Sequence, residues 1–243
     1  MSNDIYVGTS GWNYESFIGT IYSPQTPKKK YLEIYCTHFD TVELNATFYR
    51  SFPEKTFKSW YSRTPDHFKW SVKMSRYITH IQRLAATKES LELFWNRVKI
   101  LKEKLACVLV QLPPSLAYDK ATVEEFLKKN PPDASISIEA RHKSWHTDEV
   151  WKLLKQHNIA WVVSHTSGRY PMSKVVTADF AYVRLHGTQG LYRGLYGEEK
   201  LREWLELFRS WERPTFVYFD NTNDGSAAKD ALTLKKLINT PSE

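Results

Sequence analysis

At 243 residues the chain suits one large domain, since α/β barrels of about 200–250 residues fold as single units. Its 42% hydrophobic and 25% charged residues are ordinary for a globular protein, and no apolar run nears the roughly 20 residues that span a bilayer. The formal net charge of +7 permits attraction to phosphates, nucleic acid or anionic surfaces, yet "PKKK" at 27–30 is too short to mark a nucleic-acid arm.

In chain order, short apolar segments alternate with longer amphipathic ones. "IYVGTSG" (5–11) reads as the first strand. "KKKYLEIYCTHF" follows as a helix, with Pro27 where a first helical position tolerates it. "TVELNATFY" (41–49) is the second strand, "PEKTFKSWYSR" a helix and "FKWSVKM" (68–74) the third strand. The longest helix is "TKESLELFWNRVKILKEKL", with Leu91, Phe94, Trp95, Val98, Leu101 and Leu105 at helical spacing; Thr87, with Glu89 and Ser90 nearby, starts it. Strands "CVLVQLP" (107–113), "SISIEAR" (135–141) and "AWVVSH" (160–165) alternate with helices "TVEEFLKK" and "DEVWKLLKQHN". "TSGRYPMSKVV" is weak as a helix and reads as a short turn or a truncated crossover. "AYVRLHG" (181–187), helix "EEKLREWLELFRSW", "TFVYFDN" (215–221) and helix "SAAKDALTLKKLIN" complete the chain.

Eight strands alternating with helices imply parallel βαβ units, and eight closes a (β/α)8 barrel with one irregular crossover after strand six. An open doubly wound sheet would bury both faces of its central strands, whereas these strands alternate. Val42, Leu44 and Ala46 oppose Thr41, Glu43, Asn45 and Thr47; Phe68, Trp70, Val72 and Met74 oppose Lys69, Ser71 and Lys73; Val183 and Leu185 oppose Tyr182, Arg184 and His186. The apolar set faces the helices, and the lumen set turns polar at the C-terminal strand ends, where barrels place their chemistry.

The expected mouth holds Glu43, Asn45, Lys73, Gln111, Glu139, Arg141, His165, Arg184, His186 and one or both of Asp220 and Asn221. Charges roughly balance, as burial demands. Glu43, Lys73, Glu139 and His186 are the candidate catalytic groups. Asn45, Gln111, Arg141, His165, Arg184 and Asn221 are candidate substrate ligands, with Trp12, Tyr49 and Trp145 as aromatic rim. Paired filling of the barrel is the alternative role for each charge, and Glu43 facing Glu139 also meets the two-carboxylate requirement of a glycosidase. No metal is expected: three cations oppose a divalent ion and no HxxH or HExxH spacing occurs. Gly187, Gly190, Arg193 and Gly194 after strand seven, with Asp224, Gly225 and Ser226 opening the last helix, suggest a phosphate or carboxylate grip.

The segments "VGTSGWNY", "TVELNATFYRSFP", "FKWSVKMSRYITH", "LVQLPPS", "IEARHKSW", "VRLHG" and "YFDNTNDGSAAKDA", in that order over nearly the whole chain, resemble the YecE-like family (domain of unknown function number seventy-two). The resemblance implies a TIM-barrel-like fold and no established activity. Asp220-Asn221 stands where the family usually writes two asparagines, and Phe17 where it often has Trp.

The sequence therefore predicts one domain over 1–243. It predicts an enzyme without an obligatory cofactor, doing acid–base chemistry on a small anionic, phosphorylated or sugar-like substrate; lyase, isomerase and hydrolase all stay open. A nucleic-acid-acting protein and a non-catalytic binding or scaffold protein are the alternatives. Oligomeric state is left open. With neither a basic start and apolar run in "MSNDIYVGTSGW" nor a disulfide framework from Cys36 and Cys107, the expected setting is cytoplasmic.

Overall fold

The computed structural model describes residues 4–240. Eight parallel strands form one sheet in the order β1-β8-β7-β6-β5-β4-β3-β2, a nearly closed barrel. They are β1 Ile5–Thr9, β2 Thr41–Leu44, β3 Lys69–Lys73, β4 Leu105–Gln111, β5 Ile136–Glu139, β6 Ala160–His165, β7 Ala181–Leu185 and β8 Thr215–Phe219. All eight sequence-read strands form, each ending between one and five residues earlier than the segment read for it, apart from β6. The helices are α1 Tyr31–His38, α2 Ala46–Tyr49, α3 Glu54–Arg63, α4 Lys88–Val98, α5 Lys120–Lys129, α6 Asp148–Gln156, α7 Gly197–Ser210 and α8 Ser226–Asn239. No helix forms between β6 and β7, so the weak segment there is the truncated crossover. Pro27 caps a 3-10 turn ahead of α1 rather than taking a first helical position. Thr87 caps α4, its hydroxyl accepting the Ser90 N–H at 3.3 Å.

No ladder joins β1 to β2. Tyr35 of α1 closes that seam: its hydroxyl accepts the Thr9 N–H at 2.9 Å and donates to the Thr41 carbonyl at 3.1 Å. Two backbone groups that would otherwise be orphaned in the interior are thereby satisfied. Gly8 makes the approach feasible, because a Cβ there would lie 2.2 Å from the Thr41 oxygen.

The lumen is graded along its axis. At the N-terminal end Cys107, Leu109, Ala160, Val162, Phe180 and Phe216 form an apolar plug. Above it the Tyr218 hydroxyl contacts Thr41 Oγ1 at 2.7 Å and Ser71 Oγ at 2.9 Å. Above these hydroxyls the lumen side chains are charged, and they hold the candidate site. The helix-facing residues, including Val42, Trp70, Val110, Ile138, Val163, Val183 and Val217, join one continuous core with the helices. Among the described residues no helix is long and apolar enough to cross a membrane.

Candidate functional site

Arg184 of β7 stands at the centre of the mouth, 1% exposed. Its Nε donates to Glu43 Oε2 at 2.9 Å and its Nη2 to Glu43 Oε1 at 2.8 Å, a two-point grip on β2. Nη2 also donates to Asp220 Oδ2 at 2.9 Å, beyond β8, and Nη1 to Glu139 Oε2 of β5 at 2.7 Å. The fifth N–H faces His186 Nε2 at 3.4 Å. Four of the five donors of the guanidinium are therefore engaged by carboxylates. The role of Arg184 as a substrate grip is corrected on that ground: its fork is spent on the protein's own acids, and the remaining N–H faces the His186 ring at 1% exposure.

The carboxylates are held as tightly. Glu43 also accepts from Ser10 Oγ and the Tyr182 hydroxyl, both at 2.8 Å. Glu139 accepts from Arg141 Nε and Ser164 Oγ, both at 3.2 Å. Burial opposes ionisation of Glu139, but Arg184, Arg141 and His186 outweigh it and hold the carboxyl well below the usual carboxylate range. Asp220 behaves likewise: burial raises it, while Arg184, His186 and Lys73 bring it below the ordinary aspartate value. His186 Nδ1 lies 3.0 Å from Asp220 Oδ2. Three cations, Lys73, Arg141 and Arg184, stand against the three carboxylates Glu43, Glu139 and Asp220, and the Arg184 guanidinium lies between the acids.

Lys73 is the exception. It ends β3 at 8% exposure. Among the described residues its ammonium has no hydrogen-bond acceptor and no ion pair; it rests over the Phe48 ring, 4.4 Å from the centroid. Burial, then the repulsion of Arg184, lowers its pKa to about 8, against a partial pull upward from Glu139, Glu43 and Asp220.

His80 lies beside it, in a π-helical turn at Tyr77–Ile81. Thr79 Oγ1 donates to the Ser75 carbonyl at 3.1 Å, so at 2.9 Å it accepts from His80 Nδ1, leaving Nε2 as a bare acceptor. Burial, then Lys73, Arg76, Arg141 and Arg83, press the ring down to about 4. The sequence reading missed His80 because it sought chemistry at strand ends. The signal available was its place at the close of the "SVKMSRYITH" motif.

Other expected site residues are placed elsewhere, and these are corrections. His165 points at the helices: its Nδ1 is 2.6 Å from the Tyr196 hydroxyl and its ring lies edge-on to Trp204 of α7. Ser164 takes the lumen position in β6. Asn221 also faces outward, its Nδ2 donating to the Gly194 carbonyl at 2.9 Å and to Asp230 Oδ2 at 2.8 Å. Trp145 is 1% exposed, its indole N–H bound to the Leu116 carbonyl at 2.9 Å, so it is core and not rim. Trp12 packs edge-on against Trp60 and Trp70 on the helix side of the barrel. Asn45 does not continue β2, because α2 starts directly after it. Gln111 reaches the lumen but turns its amide onto the Leu112 carbonyl at 2.6 Å. Tyr49 is on the rim, 77% exposed. Arg141 sits above Glu139 and under the Tyr170 ring, at 4.9 Å from its centroid.

The anion grip expected after β7 and β8 is already filled by the protein. Asp224 accepts the Gly194 N–H and the Ser226 N–H, each at 3.0 Å, and Asp230 accepts the Tyr196 N–H at 3.1 Å at the start of α7. Both helix starts thus carry a carboxylate of their own. Among the described residues no set of three or more His, Cys, Asp or Glu side chains is arranged to hold a metal ion.

With this geometry in place, comparison with known proteins gives a consistent result. The sequence model of the family described as "Protein of unknown function DUF72" matches residues 6–243. The UPF0759 protein YunF of Bacillus subtilis is 27% identical, over 96% of this chain and 94% of its own. The UPF0759 protein YecE of Escherichia coli K12 is 22% identical, over 94% and 90%. A DUF72 family protein of Thermotoga maritima superposes with a TM-score of 0.87 at 30% identity, covering 97% of this chain and 99% of that one.

Proposed function

The chain belongs to the DUF72 family of proteins of unknown function, and on the chemistry of its mouth we propose that it is an enzyme of acid–base catalysis on a small anionic, phosphorylated or sugar-like substrate. The observation that carries this reading is Lys73: a buried amine at a strand C-terminus, without a partner among the described residues, with its pKa brought to about 8. A group that exchanges its proton near neutral pH is suited to be acid and base in one cycle. In this proposal Lys73 takes a proton from the substrate and returns it. Arg141 holds the substrate's negative charge from the rim, and bare Nε2 of His80 accepts a hydrogen bond from a substrate hydroxyl. Glu139 and Asp220, both held below their ordinary values, stay ionised and keep the field constant. A cytoplasmic setting fits the two cysteines, Cys36 and Cys107, both free and buried.

Competitive acetylation of the lysines across pH, read by mass spectrometry, tests the proposal. Lys73 is expected to label with a midpoint near pH 8, and millimolar inorganic phosphate or ribose 5-phosphate to protect it. A midpoint above pH 10 with no protection sinks the reading. A second reading, in which the anion is a nucleic-acid phosphate, is favoured by the crowding of Arg76, Arg83 and Arg141 on His80 beside Lys73. In that case a single-stranded oligonucleotide protects Lys73 better than phosphate does, and loses its effect steeply with salt.

A further inference from the structure

Beside the mouth, a groove of about 410 Å³ runs between α2, the π-helical turn and α4. Phe48 is part of its wall, and Tyr49 and Tyr77, 77% and 52% exposed, line it. Among the described residues, Arg50, Arg76 and Arg97 are the only ionised ones that line it, and no Asp, Glu, Asn or Gln does. Arg50 stacks on the Phe52 ring at 4.6 Å and Arg97 bonds the Ser51 hydroxyl. Among the described residues no carboxylate pairs with any of the three. Contiguous exposed apolar surface commonly marks a binding site.

The lining selects its ligand by chemistry. Three cations without a carboxylate exclude an amine or a metal ion. The lack of carboxylate and carboxamide acceptors disfavours a sugar, whose hydroxyls all need partners. Exposed tyrosine faces suit a flat ring, since base–aromatic stacking contributes about 1–3 kcal/mol per base in nucleic-acid binding proteins. Arginine forks suit a phosphate. The volume falls near the lower end of the roughly 300–1,000 Å³ usual for small-ligand pockets, which favours one nucleotide over a strand. We propose that this groove is a second binding site, separate from the barrel mouth, for a free nucleoside monophosphate. The base lies against the tyrosines and the phosphate is held by the arginines.

Calorimetric titration of the full chain with adenosine monophosphate, adenosine, inorganic phosphate and a short oligothymidylate tests this. The monophosphate is expected to bind one per chain, and adenosine and phosphate each at least about tenfold more weakly. Tyr77→Ala and Arg76→Ala, both at exposed positions that folding tolerates, should each weaken the monophosphate by about tenfold, while Lys73→Met leaves it within about twofold. No heat at millimolar monophosphate overturns the proposal. So does binding that is lost in Lys73→Met but kept in Arg76→Ala, which would place the ligand in the mouth. An oligothymidylate that binds far more tightly than the monophosphate overturns it in favour of a strand.

Discussion

At the centre of the mouth Arg184 has a carboxylate acceptor for four of its five N–H groups; at the β3 edge the Lys73 amine has none among the described residues. Both are buried cations in one polar layer, so burial alone does not separate them. Pairing does. Full pairing turns Arg184 and its carboxylates toward one another as a frame. Lack of pairing leaves Lys73 with an amine whose charge depends on pH near neutrality, because desolvation works against it and the three carboxylates of the frame are turned to Arg184. Polar residues at a barrel mouth thus divide into a frame and a working edge, and the frame holds most of them.

The largest expected effect comes from breaking the frame. Arg184→Met leaves Glu43, Glu139 and Asp220 buried without their shared counter-charge. Removing one partner of a buried ion pair costs about 3–5 kcal/mol, and here three acids lose the partner they share, with Glu139 keeping Arg141. Guanidinium unfolding of the variant should show at least that loss, partly recovered when Glu43→Gln is added. A loss below about 1 kcal/mol would mean that the frame does not hold the mouth together.

The next effect lies at the edge, with the opposite sign. Folding lowers the Lys73 pKa from 10.5 to about 8, so between those values the unfolded chain binds more protons than the folded one. Stability contributed at this site therefore rises as pH climbs from about 8 to 10.5, and below pH 8 the buried ammonium is a net cost. At about 1.4 kcal/mol per unit the swing is roughly 3 kcal/mol. Lys73→Met should be more stable than the parent at pH 7 and show a flatter stability profile above pH 8. An unchanged profile would return Lys73 to the frame.

How much of this was legible in the sequence differs between the two regions. The frame was nearly all visible: Glu43, Glu139, Arg184 and His186 fall on lumen positions by simple alternation, as Lys73 of the edge does, and charge balance follows from burial. Alternation fails where both faces carry similar residues. In "AWVVSH" the lumen set is Ala160, Val162 and Ser164, and His165 shares its face with Trp161 and Val163; polarity suggested the reverse. In "TFVYFDN" Phe216, Tyr218 and Asp220 alternate with Val217, Phe219 and Asn221, and hydropathy cannot choose between the sets. Trp145 and the loops after β7 and β8 were misread because a lone tryptophan, or a run of glycines, does not reveal what the protein itself packs there. The edge was the least legible: His80 sits in a π-helical turn that no strand or helix period announces, and the lack of a partner for Lys73 is a fact of three dimensions.

The smallest effect is the most selective, because it uses His80 as a reporter on its neighbour. Its ring is pressed to about 4 by burial first and only then by Lys73, Arg76, Arg141 and Arg83. Replacing Lys73 with Met removes one cation of four and leaves the burial, so the titration of the His80 ring, followed by NMR, should move up by less than the whole displacement from 6.5. A phosphate bound beside Lys73 adds negative charge without altering the burial and should move the same titration upward in the parent but much less in Lys73→Met. Arg184→Gln is the contrast: with the frame broken but Lys73 present, the phosphate-induced movement should persist in whatever fraction of the protein stays folded. If phosphate moves His80 equally with and without Lys73, the anion is held by the arginines alone, and the working edge begins at Arg141 rather than at the end of β3.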